Sequence, residues 1–77
     1  MLERLRNLRE DRDLSQKDMA EVLNVAQTTY SDYELEKINI PLNTLKQLAI
    51  FFNTSIDYLL ELTDNPSPYE RAKKHRL

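Results

Sequence analysis

The chain has 77 residues, room for one small domain, and it contains neither cysteine nor glycine. No disulfide and no thiolate metal site can exist, so the fold rests on packing, and every Gly-rich phosphate loop is excluded. Eleven Lys and Arg against thirteen Asp and Glu leave a net charge of −2, a balance that in bulk argues against a phosphate-binding protein, so the placement of charges has to decide.

Leu2, Leu5 and Leu8 recur at helical spacing with Arg4, Arg6, Arg9 and Arg12 between and after them, which predicts a first helix over 2–12. Asp13 sits where the chain must turn, and Asp tolerates the left-handed conformation better than most residues. Ser15 with Asp18 three residues on is a carboxylate form of the capping box, opening a second helix over 16–23 with Met19, Ala20 and Leu23 inward. Asn24, a common substitute for glycine at a left-handed helix end, follows. A third helix is predicted over 27–35, with Tyr30 and Tyr33 on its buried face and Gln27, Thr28, Ser31 and Asp32 on the other.

Residues 36–41 read as a loop, with Pro41 in the first turn of a fourth helix whose stripe is Leu45, Leu48, Ala49 and Phe52. Thr54 and Asp57 repeat the capping spacing ahead of a fifth helix that buries Ile56, Leu59 and Leu60. The run Asp64-Asn65-Pro66-Ser67-Pro68 breaks the pattern, and a basic segment with Arg71, Lys73, Lys74 and Arg76 follows. The expected organisation is a helical domain over 1–63 and a Pro-containing linker with a basic tail over 64–77. No strand pattern and no repeat is present. No apolar run approaches the roughly 18 residues of a membrane span, and Met1-Leu2-Glu3-Arg4 lacks a signal-peptide core. The expectation is a cytoplasmic protein with no membrane partner.

Two helices joined by the three-residue turn Asn24-Val25-Ala26 are the helix-turn-helix pattern. Ala20 fits it physically, because a large side chain at a close helix crossing would push the helices apart. The order Leu8-Arg9-Glu10-Asp11-Arg12, Leu14-Ser15-Gln16, Met19-Ala20, Leu23-Asn24-Val25, Thr29-Tyr30-Ser31-Asp32-Tyr33-Glu34, Ile40-Pro41, Leu48-Ala49 and Ser55-Ile56-Asp57-Tyr58-Leu59-Leu60 resembles the Xre family of regulators. More distantly it resembles the lambdoid phage repressor and Cro domains. The resemblance covers about residues 2–63.

It implies an all-α, five-helix, lambda-repressor-like domain whose helix-turn-helix is formed by helices 2 and 3. Helix 3 would enter the major groove of double-stranded DNA, and the chain would act as a sequence-specific transcriptional regulator of repressor type, as a homodimer. Carried over by position, Gln27, Thr28, Ser31 and Asp32 face bases. Gln16, Thr29, Lys37 and Asn39 hold phosphates, and Arg9 and Glu34 form a structural ion pair. Phe51, Ile56 and Tyr58 are the expected dimer surface, with Phe51 and Tyr58 capping a monomer's core as the alternative.

The chain departs from the family pattern at four places. Ala26 stands where Ser or Thr is usual and offers helix 3 no cap oxygen, which costs about 0.5–2 kcal/mol. Glu36 replaces a customary glycine. Asp32 replaces a basic or amide residue, weakening phosphate attraction unless it accepts from a cytosine amino group. The loop 37–40 holds one cation.

The alternative function is a protein-binding or antitoxin-like module of the same fold with weak DNA affinity, which the acidic balance keeps open. Enzyme chemistry is not expected, since Ser15 has no histidine nearby and reads as a cap. Glu10, Asp11 and Asp13 read as a solvated face, and the one histidine, His75, makes no metal site. No cofactor, metal or small-molecule effector is suggested. The basic tail reads either as a solvated end or as a source of phosphate contacts.

Overall fold

The computed structural model describes residues 1–72, and among these the chain folds into five α-helices with no strand. They are α1 (Glu3–Asp11), α2 (Gln16–Leu23), α3 (Gln27–Glu34), α4 (Leu42–Phe51) and α5 (Ile56–Leu59). The expected all-α, five-helix architecture is the one found. Lys73, Lys74, His75 and Arg76, part of the basic segment noted above, lie outside the described residues.

The helix starts differ in how they are capped. At α2 the capping box is complete: the Asp18 N–H donates to Ser15 Oγ at 3.0 Å and the Ser15 N–H donates to Asp18 Oδ2 at 2.9 Å. These bonds, led by the Ser15 N–H, hold the Asp18 carboxyl below the ordinary range. At α5 the cap is Ser55, which accepts from the Tyr58 N–H, and not Thr54 as the spacing suggested. The Thr54 hydroxyl is committed elsewhere, donating to the Pro66 carbonyl at 2.6 Å. Pro41 occupies the N-cap position of α4, one residue ahead of the expected first turn, and brings no cap oxygen. Ala26 likewise leaves α3 without a side-chain cap.

The helix ends are all alike. Each is followed by one residue with positive φ: Asp13, Asn24, Glu36, Asn53 and Glu61, with φ between 53° and 63°. After each, the next N–H reaches back five residues: Leu14 to the Arg9 carbonyl, Val25 to Ala20, Lys37 to Asp32, Thr54 to Ala49 and Leu62 to Asp57, at 2.8–3.1 Å. This is the Schellman ending, which satisfies the last carbonyls of a helix and usually takes glycine at the left-handed position. With no glycine available, Asp and Asn occupy three of these positions and glutamate the other two. Asp and Asn visit that region at lower cost, whereas a Glu pays the side-chain clash.

The core gathers Leu2, Leu5, Met19, Ala20, Leu23, Tyr30, Tyr33, Leu48, Ala49, Phe52 and Leu59, with Leu8, Leu14, Val25, Ile40 and Ile56 packed at its edge. Leu60 is not on the buried side: it is 38% exposed, because α5 ends at Leu59 and the chain turns away. Arg4 of α1 and Arg12, the residue that follows the helix as its C-cap, reach the C-terminal ends of other helices. Arg12 donates to the Phe51 and Phe52 carbonyls at 3.0 and 3.2 Å, over the Phe52 ring. Arg4 donates to the Tyr58 and Thr63 carbonyls and pairs with Asp64, its guanidinium 4.4 Å above the Tyr58 ring. Cations are favourable there, because free carbonyls concentrate negative charge at helix C-termini.

The stretch expected to be a linker lies back on the domain. Besides the Thr54–Pro66 and Arg4–Asp64 contacts, the Tyr69 hydroxyl donates to Asp57 Oδ2 at 2.7 Å. The left-handed Glu61 makes no side-chain hydrogen bond or ion pair among the described residues. Glu61→Gly should therefore stabilise the protein by about 0.5–1 kcal/mol, the relief of left-handed strain exceeding the added freedom of the unfolded chain. Thermal denaturation should register this as a rise of a few degrees.

Candidate nucleic-acid interface

Helices α2 and α3 are joined through Asn24, Val25 and Ala26, and the left-handed Asn24 (φ 57°, ψ 48°) redirects the chain between them. Ala20 is buried in this pair, small enough to permit close approach. Tyr30 and Tyr33 anchor α3 in the core, with rings edge to face at 6.5 Å. The opposite face carries the residues named from the sequence. Gln27 and Thr28 are exposed, while Thr29, Ser31 and Asp32 are half-buried. Lys37 and Asn39 are exposed just beyond α3, and Lys17 is exposed in the first turn of α2. None of the described side-chain hydrogen bonds uses Gln27, Thr28, Ser31 or Asp32.

The orientation of α3 is set at its far end by Glu34, which is 2% exposed. Its Oε2 accepts from Arg9 Nε at 2.7 Å and from the Tyr30 hydroxyl at 2.5 Å. Its Oε1 accepts from Arg9 Nη2 at 3.3 Å and from Gln16 Nε2 at 3.2 Å. A carboxylate offers about four lone-pair sites, and here each is used. Arg9, 8% exposed, spends its remaining Nη1 on the Leu14 carbonyl at 2.8 Å. The Leu2 N–H donates to the Glu34 carbonyl at 2.8 Å, so the residue that caps the start of α1 holds α3 by backbone as well.

Burial pushes the Glu34 carboxyl up, but the hydrogen bonds from Arg9, Tyr30 and Gln16 outweigh it and hold it below the ordinary carboxylate range. The hydrogen bond to Glu34 pushes the Arg9 guanidinium up against the opposing effect of burial. Burial, then the bond to Glu34, pushes the Tyr30 phenol up. All three side chains therefore keep their ordinary neutral-pH charge states.

The structure brings Arg9 and Glu34 together as the resemblance implied, and adds two donors that the sequence reading did not assign. Tyr30 precedes Glu34 by one helical turn, a spacing that places both on one face and could have signalled the bond. Gln16 was expected only as a phosphate contact, and its inward bond crosses between helices with no local signal. Of the residues expected at a dimer surface, Phe51 is 39% exposed, while Ile56 and Tyr58 are half-buried. Ile50, at 63%, is the more exposed neighbour. Among the described residues no group of three or more His, Asp or Glu side chains is gathered as a metal would require, and no helix is long and apolar enough to cross a membrane.

A family model described as helix-turn-helix matches residues 5–59, from within α1 to the end of α5. The chain belongs to that family, in its Xre-type branch. Among helix-turn-helix relatives it is 41% identical over 71 residues to YobD of Bacillus subtilis strain 168, named as an uncharacterized HTH-type transcriptional regulator, covering 92% of this chain and 63% of YobD. A prophage-derived HTH-type regulator of that organism, YonR, is 36% identical over 61 residues, covering 79% of this chain and 56% of its own length. The HTH-type regulator ImmR, also from B. subtilis, is 37% identical over 57 residues, 74% of this chain and 45% of ImmR. The chain thus spans less than two thirds of the length of these helix-turn-helix relatives. No solved structure matches it with significance.

Removing one partner of a buried ion pair costs about 3–5 kcal/mol, because the other charge stays buried without compensation. Glu34→Ala strands Arg9, the Tyr30 hydroxyl and Gln16 together, so a denaturant melt should show a loss of that size. Since the folded Glu34 carboxyl titrates below its unfolded value of about 4.3, its contribution is complete at neutral pH and disappears as pH falls through the lowered folded value. Acid titration should show the parent losing more stability below about pH 4 than Glu34→Gln does.

Proposed function

We propose that this chain is a cytoplasmic, sequence-specific DNA-binding protein, a binding unit and not an enzyme, that regulates transcription as a repressor by placing α3 in the major groove. The observation that carries this reading is the division of α3 into two faces. Tyr30, Tyr33 and Glu34 are locked inward, while the side chains of Gln27 and Thr28 at its exposed start make no hydrogen bond among the described residues. Side chains that must read base edges have to be left unpaired on a rigid support. Family membership and the names of the relatives support the same reading.

In this reading Gln27 bonds an adenine edge, the Thr28 methyl meets a thymine methyl, and Ser31 and Asp32 reach neighbouring bases. Gln16, Thr29, Lys37 and Asn39 contact phosphates. The first N–H groups of α3, which Ala26 leaves uncapped, are further donors toward the backbone. Bulk acidity does not oppose this. Three arginines are consumed inside the domain by Glu34, the Asp64 segment and the end of α4, whereas Lys17 and Lys37 stay exposed beside the helix pair.

Sites selected from a random duplex pool give the test. Gln27→Ala should lose about 1–3 kcal/mol on the selected site and relax preference at one base pair. Unchanged affinity and preference would rule this docking out. Affinity should also fall linearly with the logarithm of salt concentration, and a parent that ignores duplex DNA at low salt is a protein-binding module instead.

One domain offers few contacts, so the working unit in this reading is a symmetric dimer on half-sites about 34–36 Å apart. Phe51, Ile56 and Tyr58, with the exposed Ile50, supply the contact. Sedimentation at micromolar concentration with a palindromic duplex should give two chains per duplex. One chain per duplex at saturation, with no free dimer, removes the dimer.

A further inference from the structure

We infer that Glu34 is a positioning residue for DNA contact, acting through Gln16: it fixes the Gln16 amide with nitrogen inward and so presents that nitrogen's second N–H to a phosphate oxygen. This rests on the DNA-binding reading above and adds to it an internal group that touches no DNA. Gln16 is the first residue of α2, half-buried, and its Nε2 lies 3.2 Å from Glu34 Oε1.

The chemistry is directional. A carboxylate only accepts hydrogen bonds, so Gln16 must turn its nitrogen, not its oxygen, toward Glu34. The amide nitrogen carries two N–H bonds about 120° apart in one plane. With one on Glu34, the other points away from the buried carboxylate. An unrestrained glutamine would sample both amide orientations and several rotamers, and in half of the amide orientations it would offer oxygen to an anion. Ordering the side chain in advance removes that loss from binding.

Arg9 is needed for this arrangement. A lone buried carboxylate near a phosphate would repel it, but Arg9 Nε and Nη2 neutralise Glu34 on the side facing α1. Tyr30 takes the remaining site on Oε2, leaving the Oε1 site as the one that α2 reaches.

The test compares Gln16→Ala in two backgrounds on one selected duplex. One is the parent. The other replaces the buried network with apolar residues (Arg9→Met, Tyr30→Phe, Glu34→Leu), an exchange of a kind that proteins often tolerate. In the parent, Gln16→Ala should weaken binding about tenfold or more. The salt dependence should not change, because an amide releases no counterion. In the apolar background the same change should alter affinity less than about twofold.

Equal losses in both backgrounds, or no loss in the parent, would overturn the inference and leave the DNA-binding reading standing. A parent that binds no duplex would remove both. If the apolar background does not fold, nuclear magnetic resonance of the free parent decides. Two well-separated, slowly exchanging Gln16 amide protons support the positioning role, and rotamer-averaged ones at random-coil shifts refute it.

Discussion

The arrangement depends on one buried carboxylate. Glu34 collects donors from α1 (Arg9), α2 (Gln16) and its own α3 (Tyr30), so three helices meet at two oxygens. Its energetic character follows from burial. Alone it would be costly, and an apolar cluster of the same volume could hold the helices as firmly. What the ionic version adds is direction: hydrogen bonds with fixed donors fix rotation, whereas apolar packing tolerates small slips. A helix that must present particular side chains to a rigid groove needs that kind of constraint.

Around this centre α1 works as a brace. Arg4 and Arg9 leave it toward the ends of α5 and α3, and its C-cap Arg12 reaches the end of α4. Each of the three receiving helices is ten residues or shorter, below the length at which isolated helices persist in water. Tertiary contacts at their ends therefore stabilise them as much as their buried faces do. The repeated Schellman endings serve the same need, closing five short helices abruptly enough to pack around one small core.

Much of this was legible in the sequence because it is local. The α2 capping box, the left-handed Asp13 and Asn24, the missing cap at Ala26 and the inward tyrosines follow from spacings of one to four residues. The Arg9–Glu34 pair, 25 residues apart, was legible only through resemblance. Contacts set by tertiary closure were not legible. Thr54 has the capping spacing to Asp57, yet the cap is the neighbouring Ser55, and Pro66, folded back from the far end, takes the Thr54 hydroxyl. Leu60 fits the helical stripe, but α5 stops one residue earlier. On the candidate interface, the outward face of α3 could be read from the pattern. The inward bond of Gln16 could not, since no periodicity encodes what a side chain meets on another helix.

The uncapped start of α3 has a consequence for dynamics. Its far end is held by the Glu34 cluster, while Ala26 gives its first N–H groups no side-chain acceptor. Stability along this one helix is therefore graded, with the cheapest local opening in the turn that carries Gln27 and Thr28. Amide exchange would run fastest there and slow toward Tyr33. The end of the helix best placed to meet another molecule is the end with the most freedom to adjust its fit, and its conformational entropy is given up at the moment of contact.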